Sequence, residues 1–369
     1  MKIHVYPGDA GGCGYYRLIW PALAAKAQGH DIEVFLPQTE NAQLRARMVM
    51  EDGQEVVVGV EPPDCDVIVM QRPLSAKLTQ TIPFLQEAGK AVVVEIDDDF
   101  HAIDPRNGSW KNSNGKIDPQ TSKNNLMRAC QMADVVTVTT QALLNRYGCG
   151  HGVIIPNYVP ERYLSVKPNR APDGNIVIGW SGSVATHPND LQQMGAAVPN
   201  VLRQYPNTRF SVVGTGVGVH ERVGLPADYD MQPTGWVEIE DYPQAMANID
   251  VGLVPLDNTP FNQAKSWLKG LEFAALGVPF VASATDPYIG LRSQYGIGEW
   301  VAKRQKWTPA LRRLVPEAWE TGQAARQQVD RMDLIIERRV DEWVGAWSEA
   351  LERRARDILG RRNIVASPH

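Results

Sequence analysis

Cysteine is scarce in this chain: Cys13, Cys65, Cys130 and Cys149 are the four among 369 residues, and no two form a C-x-x-C pair. That excludes a disulfide framework and a paired-cysteine zinc site, and points to free thiols in a reducing compartment. Long apolar runs are also missing. No window approaches the roughly 18 apolar residues that a membrane span needs. The opening MKIHVYPGDAGG has one lysine and a short strand-like run broken by His4, Pro7 and Asp9, so it does not read as a signal peptide. A soluble, cytoplasmic protein is expected. No excess of positive charge is present either: 37 Lys and Arg face 42 Asp and Glu, a net charge of -5. This argues against a polyanion as the main partner, although an average can hide a local basic patch. With 43% hydrophobic and 21% charged residues, collagen-like, coiled-coil and wholly disordered chains are excluded.

A single core stops growing near roughly 250–300 residues, so this length predicts two domains. Short apolar, β-branched runs alternate with helical patterns. In the first half the strands are expected at KIHVY (2–6), DIEVFL (31–36), DVIVM (66–70), AVVVEI (91–96), DVVTVT (134–139) and GVIIP (152–156), with helices over 15–29 and 74–89. Runs that are apolar on both faces suit a parallel sheet, and alternation with helices means βαβ units. The pattern pauses at PNYVPERYLSVKPNRAPDG (156–174), then resumes with NIVIGW (175–180), RFSVVG (209–214), DVGLVPL (250–256) and PFVAS (279–283). The expected class is α/β, with two tandem Rossmann-like doubly wound domains: 1–160, a linker at 161–174, and 175–332. In 334–359, apolar residues at three- and four-residue steps predict a long amphipathic helix, within a tail (333–369) packing back on the first domain. Arg353, Arg354 and Arg356 are placed on its solvated face, followed by Arg361 and Arg362.

Ligands of doubly wound sheets bind beyond the carboxyl ends of the strands, and four candidates lie there. The loop GDAGGCGYYR (8–17) puts Gly11, Gly12 and Gly14 before a helix, where backbone N–H groups can meet an anion. It fails the dinucleotide fingerprint because Arg17 occupies the third glycine position; VVGTGVGVH (212–220) fails likewise at Val219, which argues against an NAD enzyme. The second candidate, EIDDDFH (95–101), crowds carboxylates at a strand end, where like charges raise one another's pKa. Asp97 and Asp99 fit the D-x-D pattern of metal-dependent sugar transferases, but hydroxyl recognition or loop structure is favoured over a metal. The third, GWSGSVATHPNDL (179–191), offers Ser181, Gly182 and Ser183 to phosphate oxygens, with His187 as a further donor. The fourth is FNQAKSWLKGLEFAALGVPFVAS (261–283). Read as one helix, it sets Lys265, Lys269 and Glu272 on one face at i, i+4 and i+7. Two ammoniums and a carboxylate there suit a diphosphate and a ribose diol.

These stretches resemble GT-B glycosyltransferases, most closely the large retaining family 4 group of sucrose- and mannosyl-type transferases. GCGYYRLIWPALAAKAQGHDIEVF resembles that family's glycine loop, first helix and second strand. ADVVTVTTQALLNRY with VIIPNYVP resembles its passage into the linker, and TGWVEIEDYPQAMANIDVGLVPL its base-binding segment. KSWLKGLEFAALGVPFVAS resembles its most specific signature, and EIDDDF is similar to bacterial and phage-type members. The resemblance implies a nucleotide-sugar donor, UDP- or GDP-linked, held mainly by the second domain. Glu272 would take the ribose hydroxyls, and Gly235, Trp236 and Val237 the base. Ser181, Gly182, Ser183, His187 and Lys269 would take the phosphates. Gly12, Cys13 and Gly14 would face the diphosphate and the reacting carbon. Lys265 would neutralise the leaving diphosphate, where charge develops as the sugar becomes oxocarbenium-like. Asp98, Asp99 and His101 would act near the sugar and the acceptor, with Tyr15 and Arg17 on the acceptor side. No metal or other cofactor is implied. The compartment would be the cytoplasm, or the host cytoplasm for a phage-encoded chain.

Two departures stand out. The family's earlier glutamate is Ala264 here, and its Arg and Lys pair after the second domain's first strand is replaced by GWSGSVATH. A nucleotide-sugar epimerase and a non-catalytic sugar-nucleotide-binding protein are the competing readings. The acceptor is left among a protein, a glycan and a hydroxymethylated DNA base.

Overall fold

A computed structural model describes residues 1–37, 44–108, 118–169 and 174–365, with side chains to residue 360. The linker residues 170–173 and the side chains of Arg361 and Arg362 lie outside the described set. Within it the chain forms two compact units. One gathers residues of Met1–His101, Ser113–Asn157 and Ile336–His369; the other gathers those of Ala102–Asn112 and Tyr158–Ile335.

The first unit is built on β1 (Lys2–Tyr6), β2 (Asp31–Val34), β5 (Val67–Gln71), β6 (Ala91–Ile96), β7 (Val135–Val138) and β8 (Gly152–Ile154), with β3 (Ala46–Glu51) and β4 (Gln54–Val60) apart from them. The six run in the order β2-β1-β5-β6-β7-β8, all parallel. Strands β5, β6 and β7 are buried at every position, which is why they read as unbroken apolar runs rather than alternating ones. The antiparallel hairpin β3-β4 was absent from the sequence reading. It turns at Asp52-Gly53, both at positive φ (50° and 79°), the conformation that a two-residue hairpin turn requires.

The first helical stretch is not uniform. A π-helical segment, Tyr15–Ile19, precedes α1 (Trp20–Ala27), and the Trp20 N–H donates to Tyr15 O, five residues back. The helices α2 (Ala76–Glu87), α3 (Pro119–Met132) and α4 (Gln141–Tyr147) follow, each opened by a side-chain cap from Ser75, Asp118 or Thr140. The C-terminal helix, Ile336–Val365, belongs to this unit and packs on α1 and on β5, β6 and β7. Trp343 and Trp347 are fully buried in that contact, and Trp343 Nε1 donates to Arg17 O at 2.9 Å. Arg354 is buried too, contrary to the solvated face expected for it. Its guanidinium forms an ion pair with Asp134, whose other oxygen accepts from Val92 N at 2.8 Å.

The second unit holds β9 (Ile176–Ser181), β10 (Thr208–Val213), β11 (Val251–Val254), β12 (Phe280–Ser283) and β13 (Glu299–Val301). They run in the order β10-β9-β11-β12-β13, again all parallel. Ile178, Trp180, Val212, Leu253 and Val281 on the sheet pack with Trp307 and Leu311 in one core. In each sheet the winding reverses beside its first strand, between β1 and β5 and between β9 and β11. The loops leaving those strands frame a crevice in such folds. Among the described residues no helix is long and apolar enough to cross a membrane.

Candidate functional site

In the first unit the glycine loop is organised by Asp9. Its Oδ1 accepts from Gly11 N at 2.7 Å and from Gly14 N at 3.1 Å, and its carboxylate forms an ion pair with Arg72. Burial raises the Asp9 pKa, but the Arg72 charge and the two N–H donors outweigh that and hold it below the usual range. Gln71 completes the frame, accepting from Gly8 N at 2.9 Å and donating to Cys13 O at 3.2 Å. Gly14 must be glycine: a Cβ there would lie 1.9 Å from Asp9 O. Gly12 is exposed, with open space where a side chain would be. Cys13 is half-buried. Burial, then the Asp97 charge, push its thiol well above its usual pKa, with Arg72 opposing them.

Arg17, expected on the acceptor side, is instead fully buried. The widened π turn aims it inward, where Nε meets Glu95 Oε1 at 2.7 Å and Nη1 donates to Ile155 O at 2.8 Å and Asn157 Oδ1 at 2.9 Å. Its guanidinium also lies 5.7 Å from the Trp343 ring centroid. Burial raises the Glu95 pKa even though Arg17 and Thr137 both donate to the carboxylate. Arg17 therefore holds the first unit together. Tyr15 stays half-buried, tilted on Trp20 at 5.2 Å.

The acidic run divides between two environments. Asp99 is buried and committed: it accepts from Tyr147 OH and His101 N, each at 3.1 Å, and pairs with Arg146 Nε at 2.9 Å. His101 Nδ1 lies 2.9 Å from the same Tyr147 hydroxyl. With that hydroxyl's proton given to Asp99, Nδ1 carries the ring hydrogen and Nε2 is the basic nitrogen. Burial lowers the His101 pKa, with Asp99 opposing and Arg146 assisting, so the ring is favoured neutral. The D-x-D reading of Asp97 and Asp99 fails here, because Asp99 is taken by Tyr147 and Arg146. It is Asp97 and Asp98 that lie beside Cys13.

In the second unit the expected helix over 261–276 is interrupted. A short helix α5 (Pro260–Ala264), capped by Thr259, stops at Lys265, whose backbone is extended (φ −63°, ψ 152°). Helix α6 (Leu268–Ala275) begins again after Ser266, whose Oγ accepts from Leu268 N, one of the N–H groups a helix start leaves without a ladder partner, at 3.3 Å. Lys265 therefore does not share a face with Lys269 and Glu272. Its ammonium lies over the Phe261 ring, 4.4 Å from the centroid.

Lys269 and Glu272 do meet. The Lys269 ammonium is 3.0 Å from Glu272 Oε2 and donates to Tyr242 OH, which lies 2.6 Å from Ser181 Oγ. Burial disfavours the Lys269 charge, but Glu272 and Tyr242 outweigh it and raise the pKa. Burial and the Glu272 charge raise the Tyr242 pKa, so its phenol is held protonated. This chain of groups joins the end of β9 to α6. Ser181, Lys269 and Glu272 are among the residues singled out from the sequence and Tyr242 is not; its place in the stretch resembling a base-binding segment is the one hint.

His187 is oriented by Asp190, a residue that had no assigned role. Asp190 Oδ2 lies 2.6 Å from His187 Nδ1, while Oδ1 accepts from Asp257 N at 2.7 Å and Asn262 Nδ2 at 2.8 Å. One buried carboxylate thus fixes the loops after β9 and β11 and the start of α5. Gly182 and Gly214 let two loops cross closely: a Cβ on Gly214 would lie 2.3 Å from Gly182 O. Ser183 closes a turn by accepting from Thr186 N at 3.1 Å. Beyond β10, Thr234 N donates to Val212 O at 3.1 Å, and Gly235 (φ 74°) turns the chain. There Trp236 is 80% exposed, an indole surface open to a flat partner, and Val237 is half-buried.

Residues 175–314 match the family described as Glycosyl transferases group 1. No curated protein matches the chain. Among solved structures, the sucrose-phosphate synthase from Thermosynechococcus elongatus is similar over 100% of both chains, at 16% identity and a TM-score of 0.60. A glycosyltransferase from Rickettsia africae is similar over 95% of this chain and 98% of its own, at 13% identity and a TM-score of 0.61. Anabaena HepE in complex with UDP is similar over 94% of this chain and 100% of its own, at 15% identity and a TM-score of 0.57. These neighbours give the fold, GT-B, and the second unit carries, over residues 175–314, a domain that matches the glycosyl transferases group 1.

Proposed function

We propose that the protein transfers a sugar from a nucleoside-diphosphate sugar, UDP- or GDP-linked, to an acceptor hydroxyl, with retention and without a metal at the diphosphate. The observation that carries this reading is the Ser181–Tyr242–Lys269–Glu272 network at the carboxyl end of β9, inside the matched domain. It presents a charged lysine and a protonated phenol, suited to phosphate oxygens, beside a carboxylate suited to ribose hydroxyls. His187, held by Asp190, adds a donor where the family's Arg and Lys pair is missing. Lys265 serves the leaving diphosphate, and exposed Trp236 beside Gly235 and Val237 receives the base. The UDP bound in the HepE neighbour supports UDP as the first donor to test.

In the first unit, Gly12, Cys13 and Gly14 supply the loop facing the sugar. Asp98 and the basic Nε2 of His101 serve sugar or acceptor hydroxyls; Asp99 acts through Tyr147 and His101 as a positioning residue. The signature KSWLKGLEFAALGVPFVAS supports a retaining, family 4-type enzyme, and EIDDDF supports one of the bacterial or phage kind. Four free cysteines fit work in a reducing cytoplasm. The acceptor is a protein, a glycan or a hydroxymethylated DNA base. Incubation with a panel of nucleotide sugars tests the reading: slow release of nucleoside diphosphate is expected. Epimer formation, or binding without turnover, would refute transfer.

A further inference from the structure

Residues 102–108 come from the first half of the chain, outside the domain matched at 175–314, yet by their contacts they belong to the second unit. They form a strap on the loop 183–189, which carries Ser183 and His187. Gly108 N donates to Ala185 O at 2.7 Å, and Asn107 Nδ2 donates to Thr186 O at 3.0 Å. Arg106 donates to the side-chain oxygen of Asn189. The strap is also ordered from within. Asp104 accepts from the Arg106 backbone N–H at 2.8 Å and from its guanidinium at 2.6 Å, and Asn107 N donates to Asp104 O at 2.9 Å. Asn107 is only 3% exposed. An asparagine buried that far is held there by its hydrogen bonds, since its side chain has little apolar surface to bury.

These bonds give the loop a definite polarity. Thr186 N and His187 N close turns onto Ser183 O and Val184 O, at 3.1 and 3.2 Å. The carbonyls of Ala185 and Thr186 are turned to the strap. On the other flank, Asp190 Oδ2 lies 2.6 Å from His187 Nδ1. A backbone carbonyl is an acceptor and repels phosphate oxygens, so a carbonyl committed to a strap donor is one turned away from an anion. The groups that the loop offers to an anion are then the Ser183 hydroxyl and the second ring nitrogen of His187.

We propose that Asn107 is a positioning residue for the nucleotide-sugar donor: through Thr186 O it sets the loop 183–189 so that Ser183 and His187 meet the diphosphate. This rests on the donor reading above. The strap restricts the loop before the ligand arrives, so its loss falls on donor affinity and not on the chemical step.

Calorimetric titration of UDP and of GDP into the wild type, Asn107→Ala and Asn107→Asp tests it. Aspartate keeps the size of asparagine, but its carboxylate cannot donate to Thr186 O. Both variants should bind the preferred nucleotide about tenfold more weakly, as expected when a buried carbonyl loses its donor. The KM for the nucleotide sugar should rise by a like factor while kcat stays within about twofold. Without nucleotide, hydrogen exchange in 183–189 should be faster in both variants. Wild-type affinity in Asn107→Asp, or unchanged exchange in that loop, would overturn the role of Asn107 and leave the donor reading standing. A wild-type protein that binds neither nucleotide would overturn both. If circular dichroism shows that both Asn107 variants misfold, Arg106→Ala decides, since it releases Asn189 from an exposed position of the strap. Nucleotide binding about threefold weaker is expected there, and unchanged binding would refute the proposal.

Discussion

Removing Lys269 and removing Glu272 should have unequal effects on stability, and the inequality follows from burial. The Glu272 side chain is 3% exposed, whereas that of Lys269 is 30% exposed. Lys269→Met leaves a deeply buried carboxylate without its counter-ion, a change expected to cost about 3–5 kcal/mol. Glu272→Gln leaves an ammonium that still reaches water and still donates to Tyr242, so about 1–2 kcal/mol is expected. The double variant Lys269→Met/Glu272→Leu replaces the pair with apolar groups and should return to within about 2 kcal/mol of wild type. Turnover should not return with it. If the pair serves the donor, the double variant should release nucleoside diphosphate at least ~100-fold more slowly, as expected on loss of a charged donor from a diphosphate site. Urea unfolding and a coupled nucleoside diphosphate assay read the two effects separately. Equal losses in the single variants would refute the burial argument. A double variant that regains both stability and turnover would show that the pair is only structural.

Three other outcomes are expected. Asp190→Asn should lower turnover by roughly tenfold or more through misorientation of His187, and His187→Ala in that background should add little; additive losses in the double-variant kinetics would exclude the coupling. Arg17→Ala should cost about 3–5 kcal/mol in urea unfolding because it strands Glu95, and a selective rise in acceptor KM at unchanged stability would restore the acceptor-side role. Burial lowers the pKa of both His101 and His4 from 6.5, so the unfolded chain binds more protons than the native one below that value. Stability should therefore fall as pH drops through 6.5 toward the lowered native values. His101→Gln should flatten part of that fall in urea titrations at stepped pH, with His4 supplying the rest; an unchanged slope would contradict it.

The fold was legible because its central strands are buried on both faces. AVVVEI and DVGLVPL announce a parallel sheet without reference to any other part of the chain. The hairpin carries a local signal too, since Asp52-Gly53 is a strong turn pair between ARMVME and QEVVVGV. What escaped depends on contacts distant in sequence. Arg17 and Arg354 look like surface cations until Glu95 and Asp134, 78 and 220 residues away, come beside them. Periodicity alone ran Lys265 into the same helix as Lys269, because the extended backbone at Lys265 leaves no trace in the spacing of the side chains. The residue types of the proposed donor site are readable in the sequence, but the members that orient them, Tyr242 and Asp190, are not. Each acts through a hydrogen bond to a partner outside its own element.

Hydrogen–deuterium exchange with and without UDP and GDP tests the central claim most directly. The account predicts that the nucleotide that binds will slow exchange in residues 181–190, 234–242 and 257–272 of the second unit, and that Lys269→Met will weaken this protection. Saturating nucleotide that protects none of these segments, or only the glycine loop at 8–17, would contradict it.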